Sequence, residues 1–113
     1  RRRERAAASR AELDREYVRQ FAERVRQLYP RCPPGREVAI AEHACLKYSG
    51  RVGRSAAAKS LDEQAIRLAV VAHVRHAETP YDSLLARSYD RWDARAQVKG
   101  VVARVVDKWE APA

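Results

Sequence analysis

The stretch from Ser60 to Leu85, SLDEQAIRLAVVAHVRHAETPYDSLL, limits the fold more than any other part of this chain. Ser60 and Glu63 have the S-x-x-E spacing that satisfies two orphan backbone donors at a helix start. The centre that follows is apolar around most of a helical circumference, which implies burial among other helices, because water would leave that surface exposed at a cost. Near Glu78 the helix should stop. Thr79 then caps a short helix, with Pro80 at its favoured first position, Asp82 on the positive end of the dipole, and Leu84 and Leu85 docking it.

Similar periodicity elsewhere sets the class. Leu13, Tyr17, Phe21, Val25 and Leu28 recur at steps of three and four, predicting a helix from about Arg10 to Leu28 with Arg15, Arg19 and Arg26 outward. The pair Ser9 and Glu12 marks its start, and residues 1–9 read as a basic linker or tail. Pro30, Pro33 and Pro34 end it, since proline lacks the donor and restricts the residue before it. A second helix follows from Gly35 to Leu46, with Val38, Ile40, Ala41, Ala44 and Cys45 inward. The last, Asp90 to Glu110, carries Ala94, Val98, Val102, Val105 and Trp109 on one stripe, and a close helix crossing would account for Gly100 inside it. No segment alternates as a strand does. The expectation is an all-α fold, a compact orthogonal bundle of about five helices with a glycine-rich basic loop. Its single domain spans residues 10–110, with a short tail at 111–113.

No apolar run approaches the roughly eighteen residues a membrane span needs, so no membrane partner is expected. Cys32 and Cys45 are too far apart for a metal knuckle and too few for a disulfide framework. They read as reduced thiols in an intracellular protein. The chain contains no methionine, which suggests a domain of a longer parent chain whose flanking regions are further partners.

The formal charge of +8 is unevenly distributed: residues 1–31 hold ten arginines against five acids, whereas residues 61–113 hold eight of each sign. Lys47, Arg51, Arg54 and Lys59 form an acid-free run. An imbalance of this kind suits a polyanion, above all nucleic acid, through neutralised phosphates and released counterions. The loop Ser49-Gly50-Arg51-Val52-Gly53-Arg54-Ser55 is the best phosphate site, because glycines admit backbone donors and the two arginines can fork onto oxygens. Its Gly50-x-x-Gly53 resembles the loop with which KH domains clamp a nucleic-acid backbone, although the sheet of that fold is missing. The phosphate-binding set is therefore Lys47, Gly50, Arg51, Gly53, Arg54, Ser55 and Lys59.

Arg87, Arg91, Arg95 and Lys99 form a second basic row, but Asp90, Asp93 and Asp107 on the same helix should consume much of its charge. Tyr89 and Trp92 near that helix start, with Tyr48 beside the glycine loop, are available to stack on unpaired bases. On the central helix, Arg67 and Arg75 share a polar edge, while His73 and His76 fall on the inward side with Ile66 and Ala69. Buried histidines need partners, and His43, Tyr81 and Asp82 complete the expected structural polar network. Two other chemistries are available there. His73 and His76 could act as acid and base in phosphodiester cleavage, with or without a metal, while Arg75 holds the phosphate. A zinc site from His43, His73, His76 and a cysteine matches no familiar spacing, so no metal or cofactor is expected.

Taken together, SGRVGRS, AVVAHVRHAETPYDSLL and RWDARAQVKGVVARVVDKW resemble an uncharacterised family, the domain of unknown function numbered 2293, over about Tyr29 to Trp109. The string H-x-R-H-x-x-T-x-Y-D, His73 to Asp82, carries the resemblance most specifically. Members occur in bacterial and fungal proteins. The resemblance implies domain limits and an intracellular location, and it transfers no site residue. The functional expectation is a domain that binds RNA or DNA by its phosphate backbone, through the glycine loop and the basic first helix. A protein-interaction or scaffold domain is the alternative, and a nuclease using His73 or His76 is the second.

Overall fold

A computed structural model describes residues 2–48 and 61–113, the side chains of 6–14 and 46–48 excepted. Within them the chain is helical throughout: α1 (Arg2–Leu28), α2 (Arg36–Tyr48), α3 (Glu63–Ala77), α4 (Tyr81–Ala86) and α5 (Arg91–Glu110). No strand occurs among the described residues, so the all-α expectation stands. None of the helices is long and apolar enough to cross a membrane.

The centre of the fold is α3, whose Ile66, Val70 and Val74 are fully buried at steps of one turn. Around them lie Phe21 and Val25 of α1, Ile40, Ala41 and Ala44 of α2, and Ala94, Val98 and Val102 of α5. Helices α1 and α2 pack along each other, and α3 crosses to meet α5 while α4 bridges α3 and α5. Trp109 closes the bottom of this core, and Cys32 and Cys45 are both buried in it. Burial pushes the Cys32 thiol pKa up, away from the thiolate range.

Several helix limits differ from those expected. α1 begins at Arg2 rather than Arg10, so the stretch read as a basic tail is helical. Arginine, glutamate and three alanines are strong helix formers with no breaker among them, and a Ser9–Glu12 pair does not start a helix that is already running. Helix α3 is capped by Asp62, whose carboxylate accepts from the Ala65 N–H at 3.3 Å, so the start falls two positions beyond Ser60. At the other end Thr79 behaves as its sequence suggests. Its hydroxyl donates to the Arg75 carbonyl and accepts from the Tyr81 N–H at 3.2 Å, finishing α3 and opening α4.

Two apolar assignments were too generous. Val38 and Leu85 are exposed, as is Leu68 at 59 %, because a helix stripe buries only where a neighbour covers it. Gly100 is not at a helix crossing either: a methyl group there would meet only the end of Arg104, at 3.7 Å.

The connector between α1 and α2 is held by side chains. Arg26, expected outward, turns in and donates to the carbonyls of Pro30 (3.2 Å), Cys32 and Pro33 (3.4 Å), the last of which also accepts from the Arg36 N–H at 3.0 Å. Arg31 then ties this connector to the far end of the chain, its N–H donating to the Trp109 carbonyl at 3.0 Å and its Nε to Pro112 at 3.0 Å.

Candidate functional site

Two places bring chemistry together. The first is a groove between α2 and α3 that gathers all three histidines of the chain, His43, His73 and His76. It encloses about 250 Å³ and is otherwise apolar, with Ile40, Leu68 and Ala72 on its walls. Spacing placed His73 and His76 on the inward side of the central helix. In fact only His73 is half-buried; His43 and His76 are exposed at the rim, because the buried line of α3 runs through Ile66, Val70 and Val74 instead.

Partners fix both rings on α3. His76 Nδ1 lies 2.6 Å from Asp82 Oδ1, and its ring meets Tyr81 edge-on at 5.2 Å between centroids. A carboxylate only accepts, so Nδ1 carries the hydrogen. His73 Nε2 lies 3.3 Å from Arg36 Nη1, and a guanidinium only donates, so the lone pair of His73 is already engaged. Arg36 itself is anchored by Glu78 at 2.9 Å. The expected network of His43, His73, His76, Tyr81 and Asp82 is thus gathered in space, though half of it is open to solvent, and Arg36 and Glu78 belong to it. Sequence spacing gave no sign of those two, which reach His73 from another helix and from the cap. Among the described residues no group of three or more His, Cys, Asp or Glu side chains could hold a metal ion.

Burial first, then Arg36, and with them His43 and His76, push the His73 pKa below its ordinary 6.5, against a smaller opposing pull from Glu78. The unfolded chain therefore binds this proton at higher pH than the folded one. Stability is full above about 6.5 and falls as pH drops from there toward the depressed folded value. Thermal melts at pH 7.5 and 5.5 should show a loss of Tm on acidification that is smaller in His73→Gln. An equal loss in both proteins would put the effect elsewhere.

The second place is the flank of α5 with α4 and the end of α3. Trp92 stands there 74 % exposed, with Tyr89 nearby also exposed. Arg95 lies over the Trp92 ring at 5.7 Å, Arg87 over Tyr89 at 5.9 Å, and Arg75 over Tyr81 at 5.7 Å. The basic row was expected to be absorbed by acids of its own helix. It is not. Asp90 caps α5 by accepting from the Asp93 N–H at 2.8 Å, and a hydrogen bond to Asp90 pulls the Asp93 carboxyl pKa up. These acids are occupied with the helix start and with each other. Among the described residues no carboxylate pairs with Arg87, Arg91, Arg95 or Lys99.

Elsewhere the arginines are largely engaged. Arg19 bridges Glu16 and Glu23 (2.7 Å), Arg24 faces Glu63 at 3.7 Å, and Arg26 holds the connector. Arg67, placed by spacing on the same edge as Arg75, reaches Tyr29, Glu63 and Glu110 instead. The glycine loop, with Gly50, Arg51, Gly53, Arg54, Ser55 and Lys59, lies outside the described residues, as does the side chain of Lys47 in the last turn of α2.

Residues 24–110, from α1 to the end of α5, match the family model described as "Uncharacterized conserved protein (DUF2293)". The chain belongs to this family. The match runs through both the histidine groove and the α5 flank. Comparison with curated proteins and with solved structures finds no match for this chain.

Proposed function

We propose that this domain binds nucleic acid along the cationic flank of α5, contacting mainly the phosphate backbone. The observation that carries the reading is the set Arg87, Arg91, Arg95 and Lys99, which no carboxylate pairs among the described residues, beside a Trp92 that is 74 % exposed. A surface arginine without a counter-charge keeps its donors for an external anion, and phosphate matches the planar fork of a guanidinium. Few polar side chains nearby are suited to reading base edges, so recognition is of backbone and stacked bases rather than of sequence. The glycine loop with Arg51 and Arg54 would extend the same polyanion contact beyond the described residues.

Fluorescence anisotropy with labelled oligonucleotides, RNA and DNA, across a salt series tests this directly. Replacing Arg91, Arg95 and Lys99 together by glutamine should weaken binding on the order of 10²-fold at low salt. It should also flatten the salt slope by about two, since each lost single-strand phosphate contact removes roughly 0.7. Arg51→Ala/Arg54→Ala should weaken binding further. A triple variant that stays folded and binds with unchanged affinity and slope would remove α5 from the interface. Failure of the wild-type domain to bind any strand would end the reading altogether.

A further inference from the structure

We propose that Arg75, Arg95 and Trp92 form a site for one step of an unpaired nucleotide strand, with the phosphate held between the two guanidiniums and the adjoining base stacked on the indole. The inference rests on the nucleic-acid reading of the α5 flank and specifies what that flank holds.

The two arginines come from different helices, the last turn of α3 and the first turns of α5, and the charge of Arg95 acts on Arg75. Burial first, then Arg95, lowers the Arg75 pKa, with only the Tyr81 ring opposing. Neither guanidinium forms a hydrogen bond or ion pair among the described residues, and Arg95 Nε is buried with no partner. Two half-buried cations whose charges act on each other, one with an orphaned donor, are costly unless an anion joins them. Each guanidinium also rests on an aromatic ring. Arg75 lies on Tyr81 and Arg95 on Trp92, each at 5.7 Å. Such stacking occupies the face of a guanidinium and leaves its in-plane Nη donors free, the buried Nε of Arg95 apart. One tetrahedral phosphate can take a fork from each.

Trp92 decides what is attached to that phosphate. An indole 74 % exposed at the start of α5 presents a large apolar surface that the fold itself does not use. Arg95 covers one of its faces, and the other is open to a planar ring. A base inside a duplex has both faces stacked already, so only an unpaired base can use it. The site therefore selects single strands over duplexes, while the rest of the cationic flank accepts either.

Tryptophan emission reports on this site, because Trp109, at 4 % exposure, is shielded in the core whereas Trp92 is not. Titrating the intact chain with a fifteen-residue oligothymidylate should quench emission and give an affinity at least about tenfold above that for the matching duplex. Trp92→Leu should lose about tenfold for the single strand and leave duplex affinity unchanged. Arg95→Lys, which keeps the charge but not the fork, should weaken the single strand severalfold and serves as the check if Arg75→Gln/Arg95→Gln does not fold. Inorganic phosphate at millimolar concentration should compete with the wild type and not with the double variant. If strands bind but the duplex binds as tightly, or Trp92→Leu keeps full single-strand affinity, the site is wrong and the broader reading survives. If neither strand nor duplex binds, both fall together.

Discussion

Trp109→Ala should leave this domain at the edge of unfolding. The indole is 4 % exposed at the end of the last helix, and its surroundings come from everywhere else in the fold. Arg36 at the start of α2 lies 5.8 Å from the ring, His73 of α3 lies 6.5 Å away, and the Trp109 carbonyl accepts from Arg31 in the connector. Truncating a buried tryptophan costs about 3–5 kcal/mol through lost transfer energy and the cavity left behind. A domain of this size holds roughly 5–15 kcal/mol in all. Urea denaturation should show a midpoint lowered by at least about a fifth, and by far more if the domain lies at the low end of that range, with Trp109→Phe between the variant and the wild type. A loss under about 1 kcal/mol would mean the site collapses around the gap and that the residue is not the keystone described here.

Arg67→Ala should cost about 1–3 kcal/mol, which is unusual for an arginine that is partly exposed. Its Nη1 donates to the Tyr29 hydroxyl at 3.2 Å and to Glu110 at 2.8 Å, and its Nε to Glu63 at 3.1 Å. These hydrogen bonds, led by the one to Glu63, push its pKa well above the ordinary arginine value. The two glutamates are substantially exposed, and pairs of that kind contribute little. The larger part comes from Tyr29, 1 % exposed, whose hydroxyl would lose its donor while its ring loses the guanidinium 5.6 Å away. Tyr29→Phe alone should cost less, because it removes the hydroxyl together with its need. In a double-mutant cycle by chemical denaturation the two changes should be non-additive by more than about 0.5 kcal/mol. Strict additivity would show that Arg67 acts through its carboxylates alone.

Arg67 and Arg75 also show how far the sequence could be read. They lie two turns apart on one helical edge, and spacing gives them the same role. The fold separates them, since Arg67 meets Glu110 and Tyr29 from outside its own helix, whereas Arg75 lies on the Tyr81 ring and feels the charge of Arg95. Both outcomes depend on residues distant in sequence, which periodicity does not address. What periodicity does address, it placed well: Phe21 with Val25, Ile40 with Ala44, and Ala94 with Val98 and Val102 are all buried. It failed at the edges of stripes, at Val38 and Leu85, where a neighbouring helix and not the helix itself decides exposure. The string of residues holds His76 together with its partner Asp82, but the partner of His73 is Arg36, which the string does not contain. The basic row of α5 was undervalued because its acids lie at pairing distance in sequence, yet they serve the helix start.

The bonds from Arg31 to Trp109 and Pro112 have a kinetic consequence. The helices themselves are local and form within microseconds, whereas the bond from Arg36 to Glu78 spans 42 positions and that from Arg67 to Glu110 spans 43. The Arg31 side chain, by contrast, joins residues separated by 81 positions. The entropy of closing that loop must be met before any contact of Trp109 repays it. Docking of α5 onto the connector thus closes the longest loop among the bonds of the described residues, and it is expected to form late in folding.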